Sequence, residues 1–425
     1  MNVLIMTYGS RGDVQPYVAL GCGLKAKGHE VTLATAARFE DFVAGHGLRY
    51  GHMGDELLAI VDTDQGREMI ENTNNVFQML RRMLAMSKQV GPMQRELLED
   101  SWRVAEAVRP DVVIFHPKAY GGPLIAEKLG VPVILALPIA MLVPTGEHAN
   151  MGVPALKLGA WYNRMTYRAV QRLMAMAGGK HAKAWRQAHG LPAQKRFDIL
   201  HTADGRDVPV LHAISRHVMP KPADWPASAH MTGYWFLDDA QDWEPSEELS
   251  AFLSAGPPPV YVGFGSMAGR DPERLAKIVI AALTKANVRG IIATGWGGLK
   301  ARDLPDKILQ IEQAPHDWLF ERMAAIVHHG GAGTTAAALR AGKPAVIVPF
   351  FGDQPVWGRR VHELGAGAAP IRQKALSVDN LAAAITRTLS DAKMQARAQE
   401  LGEKIRAEDG VGNAIALIER TAALA

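Results

Sequence analysis

Ile326-Val327-His328-His329-Gly330-Gly331-Ala332-Gly333-Thr334-Thr335 passes from a short apolar run, through a glycine-rich turn, into residues with helical spacing up to Arg340. Strand, loop and helix in that order make the opening of a β-α-β unit. The glycines let the backbone approach an anion, the unpaired N–H groups of the first helical turn point at it, and the helix dipole adds roughly half a positive charge. His329 supplies a side-chain donor beside them. A tight strand-to-helix connection of an ordinary α/β protein would look the same, so these residues alone decide a fold and leave the ligand open.

The unit recurs on both sides. Val3-Leu4-Ile5-Met6, a helical pattern over 14–27 ending at Gly28, and Val31 to Thr35 form a first β-α-β; Val112 to Phe115, Leu124 to Leu129 and Val133 to Ala136 form a second. Val260 to Phe264, Gly290 to Ala293, Ala325 to Val327 and Ala345 to Val348 continue the series near the C-terminus. Uninterrupted apolar strands of this kind belong to parallel sheets covered on both faces. The chain has 425 residues, beyond the size at which one core keeps growing. The composition turns acidic and proline-rich between Asp238 and Pro259. The expectation is therefore α/β, two facing Rossmann-like doubly wound domains: 1–240, a linker over 241–258, and 259–425, with the last helix packing back on the first domain. Ligands should sit outside the carboxyl ends of the strands.

The formal net charge is only +4, with no long run of like charge, so nucleic acid is not implied. A single cysteine, Cys22, excludes an internal disulfide and suits the reducing cytoplasm. The N-terminus reads as a buried strand and not as a signal peptide, and no uncharged apolar stretch is long enough to span a bilayer. Peripheral contact with the inner face of a membrane stays open, as does oligomeric state.

Ser10-Arg11-Gly12-Asp13-Val14-Gln15-Pro16 also joins a strand to a helix. A carboxylate on such a loop can take a proton from a nucleophilic hydroxyl, which makes Asp13 a candidate base; an Asp just before a helix is equally a normal N-cap. A helix N-terminus would stabilise the carboxylate and lower its basicity, favouring late proton transfer.

The segment from His328 to Gln354 resembles the donor signature of nucleotide-sugar-dependent glycosyltransferases with two Rossmann-like domains (the GT-B type). His329, Gly331, Gly342, Pro344, Pro349 and Asp353-Gln354 stand at the family's spacing. The resemblance implies that His329, Gly331, Gly333 and Thr334 hold the donor diphosphate, while Asp353 and Gln354 hydrogen-bond the transferred sugar. Gln313 stands where plant members carry a stacking Trp, and Ala337 where they carry a ribose-binding Glu. Nucleoside contact by Gln313 and Ala314 is therefore by analogy only. The Ser10 to Pro16 string, Gly233 to Leu237, Val262 to Met267 and Pro349 to Gln354 are similar to sterol 3-beta-glucosyltransferases, and the first of these also to glycopeptide-antibiotic glycosyltransferases. That likeness implies Asp13 as the base, with Ser10, Arg11 and Ser266 on the diphosphate.

The implied activity is inverting transfer of glucose from UDP-glucose, a co-substrate, to a hydroxyl of an apolar acceptor such as a sterol, terpenoid or other lipid. Alternatives are a TDP-sugar donor with an antibiotic or glycolipid acceptor, an epimerase, and a non-catalytic helper. No cofactor or metal is expected. Asp62-Thr63-Asp64 matches a metal-binding Asp-x-Asp but reads as a solvated loop. His328 and His329, adjacent on a strand, point to opposite sides. Trp161 to Met176 carries Arg164, Arg168 and Arg172 on one helical face. It reads as an amphipathic helix with its apolar face in the core, or else as an adaptable wall for an apolar acceptor or a peripheral membrane contact.

Overall fold

The computed structural model describes residues 1–62, 76–194, 196–238, 243–265, 272–295 and 304–424. It divides into two units, one of residues 1–237 with 409–425, the other of residues 238–408. Each is a parallel sheet flanked by helices.

In the first unit the strands are β1 (Asn2–Met6), β2 (Glu30–Ala36), β3 (Arg49–Met53), β4 (Val112–Phe115), β5 (Val133–Leu137), β6 (Val210–His212) and β7 (Ala229–Met231). They lie in the order β3-β2-β1-β4-β5-β6-β7, all parallel. β4 and β5 are buried along their whole length, and β1 from Val3 to Met6, because helices cover both faces of an apolar run. The chain moves outward from β1 to β3, then crosses back to β4 beside β1. That reversal opens a crevice at the carboxyl ends of β1 and β4.

The second unit repeats the device with five strands: β8 (Val260–Gly263), β9 (Gly290–Ala293), β10 (Ile308–Ile311), β11 (Ala325–His328) and β12 (Ala345–Ile347), in the order β10-β9-β8-β11-β12. Its reversal lies between β8 and β11.

Three details depart from the sequence reading. The first helix begins at Arg11, three residues before the expected Val14, so Pro16 lies inside it and not in its first turn. The stretch read as connector contains a helix, Glu247–Ser254, capped by the Ser246 hydroxyl. Helix Gly159–Ala188 buries Tyr167, Ala182 and Trp185, but it turns Trp161, Leu173 and Met176 outward, against the core reading for those side chains. The last helix, Gly410–Ala423, belongs to the first unit: a Cβ at Gly23 would come within 2.3 Å of Val411, and one at Gly410 within 2.2 Å of the Tyr234 carbonyl oxygen.

Candidate active site

In the first unit the chain leaves β1 through Thr7-Tyr8-Gly9-Ser10. Ser10 is the N-cap, and Asp13 sits at the third helical position of a capping box instead of being the N-cap itself. Asp13 Oδ2 accepts from the Ser10 backbone N–H at 2.8 Å, the Ser10 hydroxyl at 2.9 Å and Lys118 Nζ at 2.8 Å. Gly9 has φ +140°, and a Cβ there would lie 2.3 Å from Asp13 Oδ2, so glycine keeps this turn tight against the carboxylate. Among the described residues Asp13 Oδ1 accepts no hydrogen bond. Its nearest polar neighbour is His116 Nε2 at 3.6 Å, just outside bonding distance.

His116 and Lys118 follow β4, the strand paired with β1. The Lys118 backbone N–H donates to His116 Nδ1 at 3.2 Å, which leaves the neutral ring's proton on Nε2, facing Asp13. Burial pulls the imidazole down to about 4, against the opposing pull of Asp13, so it is neutral at physiological pH. Burial alone would raise the Asp13 carboxyl. The Lys118 ammonium, the neighbouring His116 and the hydrogen bonds from Lys118 and Ser10 outweigh it and hold the group below the usual carboxylate range. Lys118 carries the compensating charge, since His116 has none at neutral pH. The site is thus an ionised carboxylate with one oxygen saturated and the other open.

The other expected residues of this unit are close by. Ser10 is exposed and spends its hydroxyl on Asp13. The Arg11 guanidinium lies 4.5 Å over the Phe42 ring, and its Nε donates to Gln15 at 3.2 Å.

In the second unit β11 ends at His328 and the chain turns through His329-Gly330-Gly331 into helix Ala332–Arg340, with Gly331 as N-cap. Gly330 has φ +90°; a Cβ there would meet Ile347 Cγ2 at 2.7 Å and the Gln354 carbonyl oxygen at 3.1 Å. The first amides of the helix, those of Ala332, Gly333 and Thr334, have no intrahelical acceptor. The His329 ring stands over this end, its Nε2 2.6 Å from where a Gly331 Cβ would be. Burial draws His329 down to about 4, so it meets an anion as a neutral donor. His328 is buried in the opposite direction, its Nδ1 accepting from the Gly330 N–H at 3.1 Å. Gly333 is exposed, with open space around its Cα, and Thr334 is half-buried. Gly265, the residue after Phe264 beyond β8, comes within 3.6 Å of the His329 ring, measured from an added Cβ.

Asp353 and Gln354 open helix Gln354–Glu363. Asp353 Oδ2 accepts from Trp357 Nε1 at 2.7 Å, and Gln354 Oε1 accepts from the Phe350 and Phe351 N–H groups at 2.8 and 3.3 Å. Gln354 is buried and abuts Gly330 through its backbone. Both side chains are thereby fixed in place. Gln313 is exposed and Ala314 half-buried, in the loop before helix His316–Leu319, which packs on helix Ala332–Arg340. Ser266, and Thr63 and Asp64 of the Asp62-Thr63-Asp64 string, lie outside the described residues.

Sequence reasoning missed His116 and Lys118. The signal was the pair of polar residues directly after the apolar run Val112 to Phe115, at the carboxyl end of a strand, where ligand-facing groups belong.

Residues 3–142 match the glycosyltransferase family 28 N-terminal domain, and residues 279–414 match the erythromycin biosynthesis protein CIII-like C-terminal domain. The whole chain resembles solved glycosyltransferases: the kitacinnamycin glycosyltransferase at TM-score 0.74 and 21% identity, covering 99% of this chain and 98% of that one. VinC, solved in complex with dTDP, gives 0.70 and 20%, with both chains fully covered at 100%. These show the two-domain GT-B fold. A sterol 3-beta-glucosyltransferase of Emericella nidulans is 38% identical across 99% of this chain. This chain spans only 30% of that relative's length. One of Arabidopsis thaliana is 34% identical, with 99% of this chain and 68% of the relative covered. On that coverage the chain belongs to the sterol 3-beta-glucosyltransferase family of glycosyltransferases.

Proposed function

We propose that the protein transfers glucose from UDP-glucose, with inversion, to a hydroxyl of a sterol or a similarly apolar acceptor, and that Asp13 is the general base. The observation that carries this reading is the asymmetry of the Asp13 carboxylate: Oδ2 is held by three donors while Oδ1 is open. A carboxylate so held keeps its charge and orientation and still offers one oxygen to an acceptor hydroxyl. Its lowered basicity means that the proton moves late, as the hydroxyl oxygen bonds the anomeric carbon and UDP leaves from the opposite face. His116 Nε2–H faces the open oxygen at 3.6 Å.

The leaving diphosphate would collect its stabilisation from the amides at the start of helix Ala332–Arg340, from His329, Gly331, Gly333 and Thr334, and from Ser266. A cluster of this kind does the work that a divalent metal does elsewhere, so the transfer needs none. Asp353 and Gln354 would hold the sugar hydroxyls, and Gln313 with Ala314 the base. The enzyme would work in the cytoplasm, beside the membrane that dissolves its acceptor.

Mass spectrometry of products from UDP-glucose and TDP-glucose, each offered to mixed sterol, flavonoid and lipid acceptors, tests the reading. The expected result is a glucosylated sterol or comparably apolar product formed from UDP-glucose. Conversion of UDP-glucose with no acceptor present, or UDP binding without UDP release for any acceptor, would overturn it.

A further inference from the structure

Among the described residues seven large apolar side chains are exposed, and five of them fall within twenty-one consecutive positions: Leu156 (53%), Leu158 (62%), Trp161 (72%), Leu173 (43%) and Met176 (78%). They occupy the loop before helix Gly159–Ala188 and the outer side of that helix. Scattered singly such residues need no explanation, but a cluster marks a surface that meets something apolar.

The charge around the cluster selects the partner. The 30-residue helix contains no Asp or Glu, and it carries Arg164, Arg168, Arg172, Lys180, Lys183 and Arg186. Two of these are used internally: Arg164 pairs with Asp224 at 2.8 Å, and the buried Arg186 pairs with Glu127 at 2.5 Å. Arg168, Arg172, Lys180 and Lys183 are exposed, as is Lys157 between the two leucines, and none of these five meets a carboxylate among the described residues. A water-facing helix of this length normally mixes both signs. Cations interleaved with Leu, Trp and Met, with no acid, match a bilayer interface: the apolar side chains enter below the headgroups while Arg and Lys stems reach back to phosphate. Trp161, 72% exposed, is the residue type that settles at that depth. Among the described residues no helix is long and apolar enough to cross a membrane, so this contact would be lateral.

We infer that the surface formed by Leu156, Leu158, Trp161, Leu173 and Met176, ringed by Lys157, Arg168, Arg172, Lys180 and Lys183, docks the protein onto an anionic lipid bilayer. The clamp that aims it is Asp224, which takes the Thr145 hydroxyl at 2.6 Å, the Gly146 N–H at 2.8 Å and Arg164, tying the loop region to the helix.

Flotation of the full chain with phosphatidylcholine vesicles, with and without phosphatidylglycerol, tests the inference, and it needs neither donor nor acceptor. Its failure would leave the transferase reading standing. The protein is expected to float with the mixed vesicles, to bind pure phosphatidylcholine at least about tenfold less, and to be released by salt. Leu158→Ser with Trp161→Ser, and separately Arg168→Glu with Arg172→Glu, should each reduce binding by about tenfold or more, with the unfolding midpoint unchanged. Absence of binding by the unaltered protein, or binding by both variants as strong as that of the unaltered protein, would overturn the inference. So would a dimer in sedimentation that the Leu158/Trp161 variant dissolves, because the patch would then be covered by a second copy.

Discussion

The two sheets reverse direction in the same way and put opposite chemistry at the reversal. Where β1 meets β4, the crevice holds two opposite charges, Asp13 and Lys118, 2.8 Å apart, with a neutral His116 behind them. Where β8 meets β11, the described residues hold no charge of their own: a neutral His329, glycines and the bare amides of a helix start. In the proposed reading one end handles a proton, and the other receives an anion without adding a counter-charge that would trap it. Topology supplies a place in each unit, and the residues at the strand ends decide its use.

Several substitutions would break or sharpen that contrast. Asp13→Asn keeps the shape of the charged crevice and removes the proposed base, so turnover should fall by roughly 10²–10⁴-fold, measured as UDP release with a competent acceptor. His329→Asp puts a carboxylate into the uncharged crevice. It should lower kcat/KM for the donor by on the order of a hundredfold, through a lost donor and added repulsion. Gly330→Ala forces a side chain into a left-handed turn against Ile347 and the Gln354 backbone, and should cost about 1–3 kcal/mol in denaturant unfolding.

Lys118→Met has the smallest expected effect and is read against pH. Lys118 helps hold the Asp13 carboxyl below its usual range, so its loss raises that pKa. The acid limb of the kcat profile should move up by about one pH unit. A depressed carboxyl contributes stability that is present above its unfolded value, near 3.8, and lost as pH falls through the folded one. The variant should therefore be less stable than the unaltered protein at neutral pH and should converge with it in acid, as followed by thermal unfolding.

The central strands were legible as apolar runs, because a strand buried on both faces leaves no other pattern. β3 was not, since Arg49, Tyr50 and His52 on an edge strand break the apolar run, and β6 and β7 are only three residues each. The glycine turn was readable from local sequence: His329, Gly330, Gly331 and the helix start are contiguous, and a strand-turn-helix carries its own geometry. The Asp13 crevice was half readable. Asp13 announced itself beside Ser10 and Arg11, but Lys118 is 105 residues away and is brought to it only by the pairing of β1 with β4, which no short spacing encodes. Gln354 shows the reverse case. Its place beside the turn followed from sequence, while the bonds from its Oε1 to the Phe350 and Phe351 N–H groups depend on a loop conformation that spacing does not specify.

Calorimetric titration of UDP into Asp13→Asn and His329→Asp, side by side with the unaltered protein, separates the two crevices most directly. The account expects Asp13→Asn to bind UDP as the unaltered protein does, within about twofold, and His329→Asp to lose the binding heat. Loss of UDP affinity in Asp13→Asn, or full affinity in His329→Asp, would contradict the division of labour between the two sheets.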